Sequence, residues 1–131
     1  MNADMNNKLK LDILQEFIPS QGVFNDIIKC NWTPSVILME RKVNPNKMDS
    51  SKYPLYQRLI TYEGPSHLVN TEPVVSTLVI SDINVACKFI ADQLQNHGFK
   101  LTHANFFFKI DQEGELVLLY TSQIKTTPHF K

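Results

Sequence analysis

The sequence predicts an α+β fold. We expect a mainly antiparallel sheet of about five strands packed on one long amphipathic helix over 82–97, with an N-terminal helix or helices and a C-terminal β-hairpin. Three observations carry this. Ile83, Ala86, Cys87, Ile90, Ala91 and Leu94 recur at helical spacing. Two apolar runs, 104–110 and 115–124, flank the turn Asp111-Gln112-Glu113-Gly114. Short β-branched runs separated by Pro and Gly occupy the middle of the chain. The 131 residues fit a single domain, 1–131, frayed at 1–7 and 126–131. A 43% hydrophobic content with zero net charge excludes a disordered chain. It also excludes a surface built wholly to grip nucleic acid or anionic lipid.

Taken in order, Leu11, Leu14 and Ile18 predict a helix over 8–18, ended by Pro19 and Gly22. Phe24, Ile27 and Ile28 predict a second short helix over 23–30, broken before Pro34. Val36-Ile37-Leu38-Met39 opens a strand over 35–43, and Asn-Pro-Asn then marks a loop over 44–51. Tyr56, Ile60 and Tyr62 predict a strand over 55–63, closed by Gly64-Pro65. A short strand over 67–70 and a clearer one over 74–80 follow. Ser81-Asp82 then caps the long helix, and Gly98 supplies its left-handed end.

In the hairpin, opposing Asp111 and Glu115 sets Ile110 beside Leu116, Phe108 beside Leu118 and Phe106 beside Tyr120. Phe107, Val117 and Leu119 make the second face apolar too, broken by Lys109. One face must meet a helix, and the other must meet something else, inside this chain or outside it. Asparagine is abundant, which reads as base composition more than structural demand.

Compartment follows from the ends and the thiols. The polar start Met1-Asn2-Ala3-Asp4 is no signal peptide, and Cys30 and Cys87 suit a reducing interior, so we expect a cytoplasmic chain. No apolar run approaches the roughly 20 residues of a bilayer span, so no membrane is expected as a partner.

Chemistry-bearing motifs are sparse, and the reading assigns no catalytic residue, no metal ligand and no cofactor. His67, His97, His103 and His129 include no helical i,i+4 pair, and no Cys-x-x-Cys occurs. Cys87 lies on the apolar stripe and reads as packing, while Cys30 could be exposed. Asp111, Glu113 and Glu115 cluster at a solvated turn. Trp32 reads as a core plug, or else as an interface anchor. The one charge asymmetry is basic: Arg41, Lys42, Lys47, Lys52 and Arg58 stand against Asp49, with Tyr53 and Tyr56 interleaved. Cations among aromatics can hold single-stranded nucleic acid or an acidic protein surface.

Three stretches together resemble an uncharacterised α+β domain of flagellated and ciliated eukaryotes. They are Glu40-Arg41-Lys42-Val43-Asn44, the run from Lys52-Tyr53-Pro54 to Glu63-Gly64-Pro65, and Phe107-Phe108-Lys109-Ile110-Asp111 with Leu116-Val117-Leu118-Leu119-Tyr120-Thr121-Ser122. The resemblance covers 35–125. The final strand of that pattern is richer in tryptophan, where this chain has Val117 and Tyr120. It implies a structural or adaptor part in a cytoskeletal or ciliary assembly, and it carries over no catalytic residue.

The expected function is a non-catalytic protein-interaction module, a complex subunit binding a protein partner or its own copy. Its expected surface is the basic segment with Phe107, Val117 and Leu119 of the hairpin. Two alternatives stand beside it: nucleic-acid binding through 41–58, and a small enzyme with a site around His67 and His103.

Overall fold

The computed structural model describes residues 16–129. The helix expected over 8–18 falls largely outside them, and 16–18 are not helical. Five strands form one antiparallel sheet: β1 (Phe24–Trp32), β2 (Ile37–Lys47), β3 (Asn70–Glu72), β4 (Phe99–Ile110) and β5 (Leu116–Pro128), in the order β3-β2-β1-β4-β5. A short helix α1 (Leu55–Leu59) and a 3₁₀ turn (Ser66–Leu68) link β2 to β3, and the long helix α2 (Thr77–Asn96) links β3 to β4. The class is α+β, with the helix on the sheet and a C-terminal strand pair, as the sequence predicts.

Four elements differ from expectation. The helix predicted over 23–30 is the central strand β1. Ile27 and Ile28 are both buried, on opposite faces, because β1 is covered on both sides. A strand covered twice loses the clean alternation that identifies it. The strand predicted over 55–63 is α1 and a turn. Pro54 has the fixed φ that starts a helix, Gln57 N–H donates to Pro54 O at 3.0 Å and Ile60 N–H to Tyr56 O at 3.1 Å. The strand predicted over 67–70 lies instead at Asn70–Glu72. The strand predicted over 74–80 is the start of α2. Ser76, not Ser81 or Asp82, is the N-cap, its Oγ accepting from Val79 N–H at 3.3 Å. Val79 packs into the same core as Ile83, so burial overrides the β-preference of the run.

β2 also runs through the predicted loop, to Lys47. Phe24 opposes Lys47 and Asp26 opposes Val43, so residues 44–46 bulge opposite Asn25. Pro45 lies in that bulge, where its missing N–H removes no regular ladder bond. At the other end, residues 126–128 are paired with β4 rather than frayed.

The hairpin turn forms as predicted. Gly114 takes φ 83°, Asp111 N–H donates to Glu115 O at 2.9 Å, and Asp111 Oδ1 accepts from the N–H groups of Glu113 and Glu115. Ile110 opposes Leu116 and Phe108 opposes Leu118. A bulge at Leu119 then shifts the register by one, so Tyr120 opposes Phe107 and not Phe106. Tyr120 therefore lies on the face away from α2, because one extra residue reverses every side chain that follows.

The helix-side core is apolar. It gathers Ile28, Cys30, Trp32, Leu101, Ala104, Phe106 and Phe108 beneath Ile83 and Cys87 of α2. Trp32 is a core residue. Cys30, expected as a candidate for exposure, is buried with its Sγ 3.8 Å from Cys87 Sγ, both as free thiols. The opposite face is covered by irregular chain: the segment 16–20, α1 and the turn after it.

Candidate functional site

The basic segment does not converge on one surface. β2 alternates, so Arg41 and Lys42 point to opposite faces. Arg41 reaches Asp26 at 3.3 Å and Glu72 at 2.8 Å on the helix side. Lys42 lies on the other side, 4.9 Å from the centre of the Tyr62 ring. Arg58 turns inward to carbonyls, donating to Met48 O at 2.7 Å and Tyr53 O at 3.0 Å. Lys47, Lys52, Tyr53 and Tyr56 are exposed.

The hairpin residues divide likewise. Phe107 is buried between Tyr62, met edge-on at 5.4 Å, and Tyr120, stacked at 4.4 Å. Val117 and Leu119 are half-buried on β5. The second apolar face of the hairpin is thus met within this chain at Phe107. His67 lies in the 3₁₀ turn before β3, and His103 on β4 with β2 and β1 between, so the two do not form one site. His103 Nδ1 lies 3.1 Å from Gln123 O. Among the described residues no three His, Cys, Asp or Glu side chains gather as a metal set.

Among the described residues, two concave features bear on function. The first is a cleft of about 840 Å³ on the face away from α2. Phe17, Leu55, Leu59 and Ile60 wall it, and Ile27, Lys109, Leu119 and Tyr120 lie at its base, with Glu16 and Glu63 also lining it. Lys109 is only 3% exposed. Its Nζ donates to Ile18 O at 2.7 Å and Asn25 Oδ1 at 2.6 Å, and lies 4.6 Å from the centre of the Phe17 ring. Burial lowers its pKa to about 8, against the pull of Asp26 and Glu63 toward the charged form. Burial, with Glu63 adding to it, pushes the Tyr120 phenol up. Tyr62, half-buried and donating to Glu40 Oε2 at 3.1 Å, is pushed up as well, chiefly by its burial. The sequence marked Lys109 only as a break in an apolar face. A lysine held between Phe108 and Ile110 in a strand was the available signal, since buried lysines need partners.

The second is a groove of about 610 Å³ between α2 and β5, lined by Asp82, Val85, Phe89, Ile90, Glu115, Leu116 and Leu118 among others. Val85 is 67% exposed, Phe89 62% and Leu118 40%. Among the described strands, the sheet order puts β5 at an edge. The helical stripe that predicted α2 concerned its inner face, so the outer pair Val85 and Phe89 went unnoticed.

No family model, no curated protein and no solved structure matches the chain. Among the described residues no helix is long and apolar enough to cross a membrane.

Proposed function

We propose that the chain is a non-catalytic interaction module, a structural or adaptor subunit that docks another chain along β5 and the α2–β5 groove. The observation that carries this is the groove between α2 and β5, in which Val85, Phe89 and Leu118 are exposed together. Apolar side chains exposed together in a groove supply the area that makes docking of another chain favourable. The occupant we commit to is a second copy. Antiparallel pairing of β5 with itself sets the acidic turn of one copy, Glu113 and Glu115, toward Lys125 of the other. The resemblance over 35–125 supports placing such a subunit in a cytoskeletal or ciliary assembly.

Sedimentation across a wide concentration range tests the reading. A reversible monomer–dimer equilibrium is expected. Phe89→Asp, at an exposed helix position, leaves the fold intact by circular dichroism and shifts the species to monomer. A monomer at every concentration, or a dimer indifferent to Phe89→Asp, overturns self-pairing through this surface.

A further inference from the structure

We propose that the cleft over Lys109 binds a small apolar monocarboxylate, with the acid group on Lys109 and the hydrocarbon against Phe17, Leu55 and Leu59. Four observations carry this. The volume of about 840 Å³ lies within the roughly 300–1,000 Å³ of small-molecule sites. The walls are apolar, which selects hydrocarbon. The Lys109 ammonium is buried, yet among the described residues no carboxylate lies within 4.0 Å of it. Its two hydrogen bonds go to neutral oxygens, and an ammonium has three N–H donors, so one remains for a ligand oxygen. A buried charge without a counter-charge is costly, and a bound carboxylate removes that cost.

The neighbouring acids narrow the class further. Glu63 acts on Lys109 only at a distance: no ion pair joins the two, and Glu63 Oε1 accepts from the N–H and Oγ of Thr61. Glu16 and Glu63 also line the cleft and oppose a doubly charged group such as phosphate. One negative charge on an apolar body is what the surroundings accept.

The test is titration of the full chain with octanoate and with its neutral analogue octanamide, read by calorimetry and thermal shift at neutral pH. Saturable octanoate binding is expected, at least tenfold tighter than octanamide. Lys109→Met removes that preference. Leu55→Glu, at an exposed wall position, weakens octanoate more than tenfold without loss of fold, and so keeps the test valid if Lys109→Met does not fold. Raising the pH from 7 to 10 also abolishes the preference as Lys109 discharges. The other groups around it are Asp26 from β1, Glu63 after α1 and Glu16 before β1, with Tyr120 from β5. Burial pushes the Tyr120 phenol up, away from this range. Equal binding of octanoate and octanamide, no saturable binding of either, or an undiminished preference in Lys109→Met overturns the proposal. The dimer test bears on the other face, so the two fail separately.

Discussion

The two faces of the sheet are covered in different ways, and the difference explains their composition. On one face lies α2, a helix whose interior backbone groups are bonded to one another. The strands directly beneath it offer it apolar side chains, Ile28, Cys30, Ala104, Phe106 and Phe108. The other face lies under irregular chain and a five-residue helix, whose carbonyls have no such partners. The sheet supplies them. Asn25 Nδ2 donates to Leu59 O at 2.6 Å, Asn44 Nδ2 to Ile60 O at 3.0 Å, Asn46 Nδ2 to Gln57 O at 3.0 Å and Lys109 Nζ to Ile18 O at 2.7 Å. Polar residues at strand positions are thus the counterpart of an irregular cover. The asparagines assigned to base composition have a structural reason here.

The contrast is broken most sharply by truncating one apolar side chain on each face. Phe106→Ala, at a site 1% exposed, removes a ring from the closed helix-side core and is expected to cost about 3–5 kcal/mol. Leu59→Ala, on the half-buried wall of the open cleft, is expected to cost about 1–2 kcal/mol. Urea denaturation measures both. Equal losses would mean that the irregular cover packs as tightly as the helix.

The same contrast decides what the sequence could reveal. The C-terminus of α2 was legible, because Gly98 at φ 92° is a local requirement that only glycine meets cheaply. The hairpin turn was legible for the same reason at Gly114. Pairing was legible as far as Leu118 and failed at Leu119, because an extra residue in a bulge leaves no mark among apolar neighbours. β1 was misread because a polar-lined cover and an apolar core bury its two faces alike. The cleft was illegible as a unit: Phe17, Asn25, Leu59, Lys109 and Tyr120 meet only through the sheet and its cover.

Lys109 sharpens the comparison through pH. The ordinary lysine value is 10.5, and burial lowers this group to about 8. Below about pH 8 both folded and unfolded chains hold the proton, and the fold bears a buried charge. Between about pH 8 and 10.5 the folded chain releases it while the unfolded chain keeps it. The unfolded state then binds more protons, so stability rises with pH, by about 3 kcal/mol over the whole window. Between about pH 7.5 and 9.5 the gain is about 2 kcal/mol, read by urea denaturation, and Lys109→Met is expected to lack it. Above about pH 10 the direction reverses, because Tyr62 and Tyr120 hold their protons in the fold beyond the usual phenol range. On the helix face, the contact with Cys30 and burial push the Cys87 thiol up.

The smallest pair of effects isolates the backbone argument itself. Asn44 is fully buried; it donates to Ile60 O and accepts from Asn46 N–H at 2.9 Å. Asn44→Ala leaves both groups without a partner under the irregular cover, at an expected cost of about 2 kcal/mol. Over the helix, the corresponding service is a single cap, the Ser76 Oγ that accepts from Val79 N–H. Ser76→Ala is expected to cost about 1 kcal/mol, because that N–H is exposed and water replaces the lost acceptor. Amide hydrogen exchange separates the two in space. Asn44→Ala releases protection in β2 and α1, where the cover detaches from the sheet, and Ser76→Ala only in the first turn of α2. If Asn44→Ala instead left α1 protected, side-chain bonds from the sheet would not be what holds that cover, and hydrophobic contact at Leu59 and Ile60 would have to suffice.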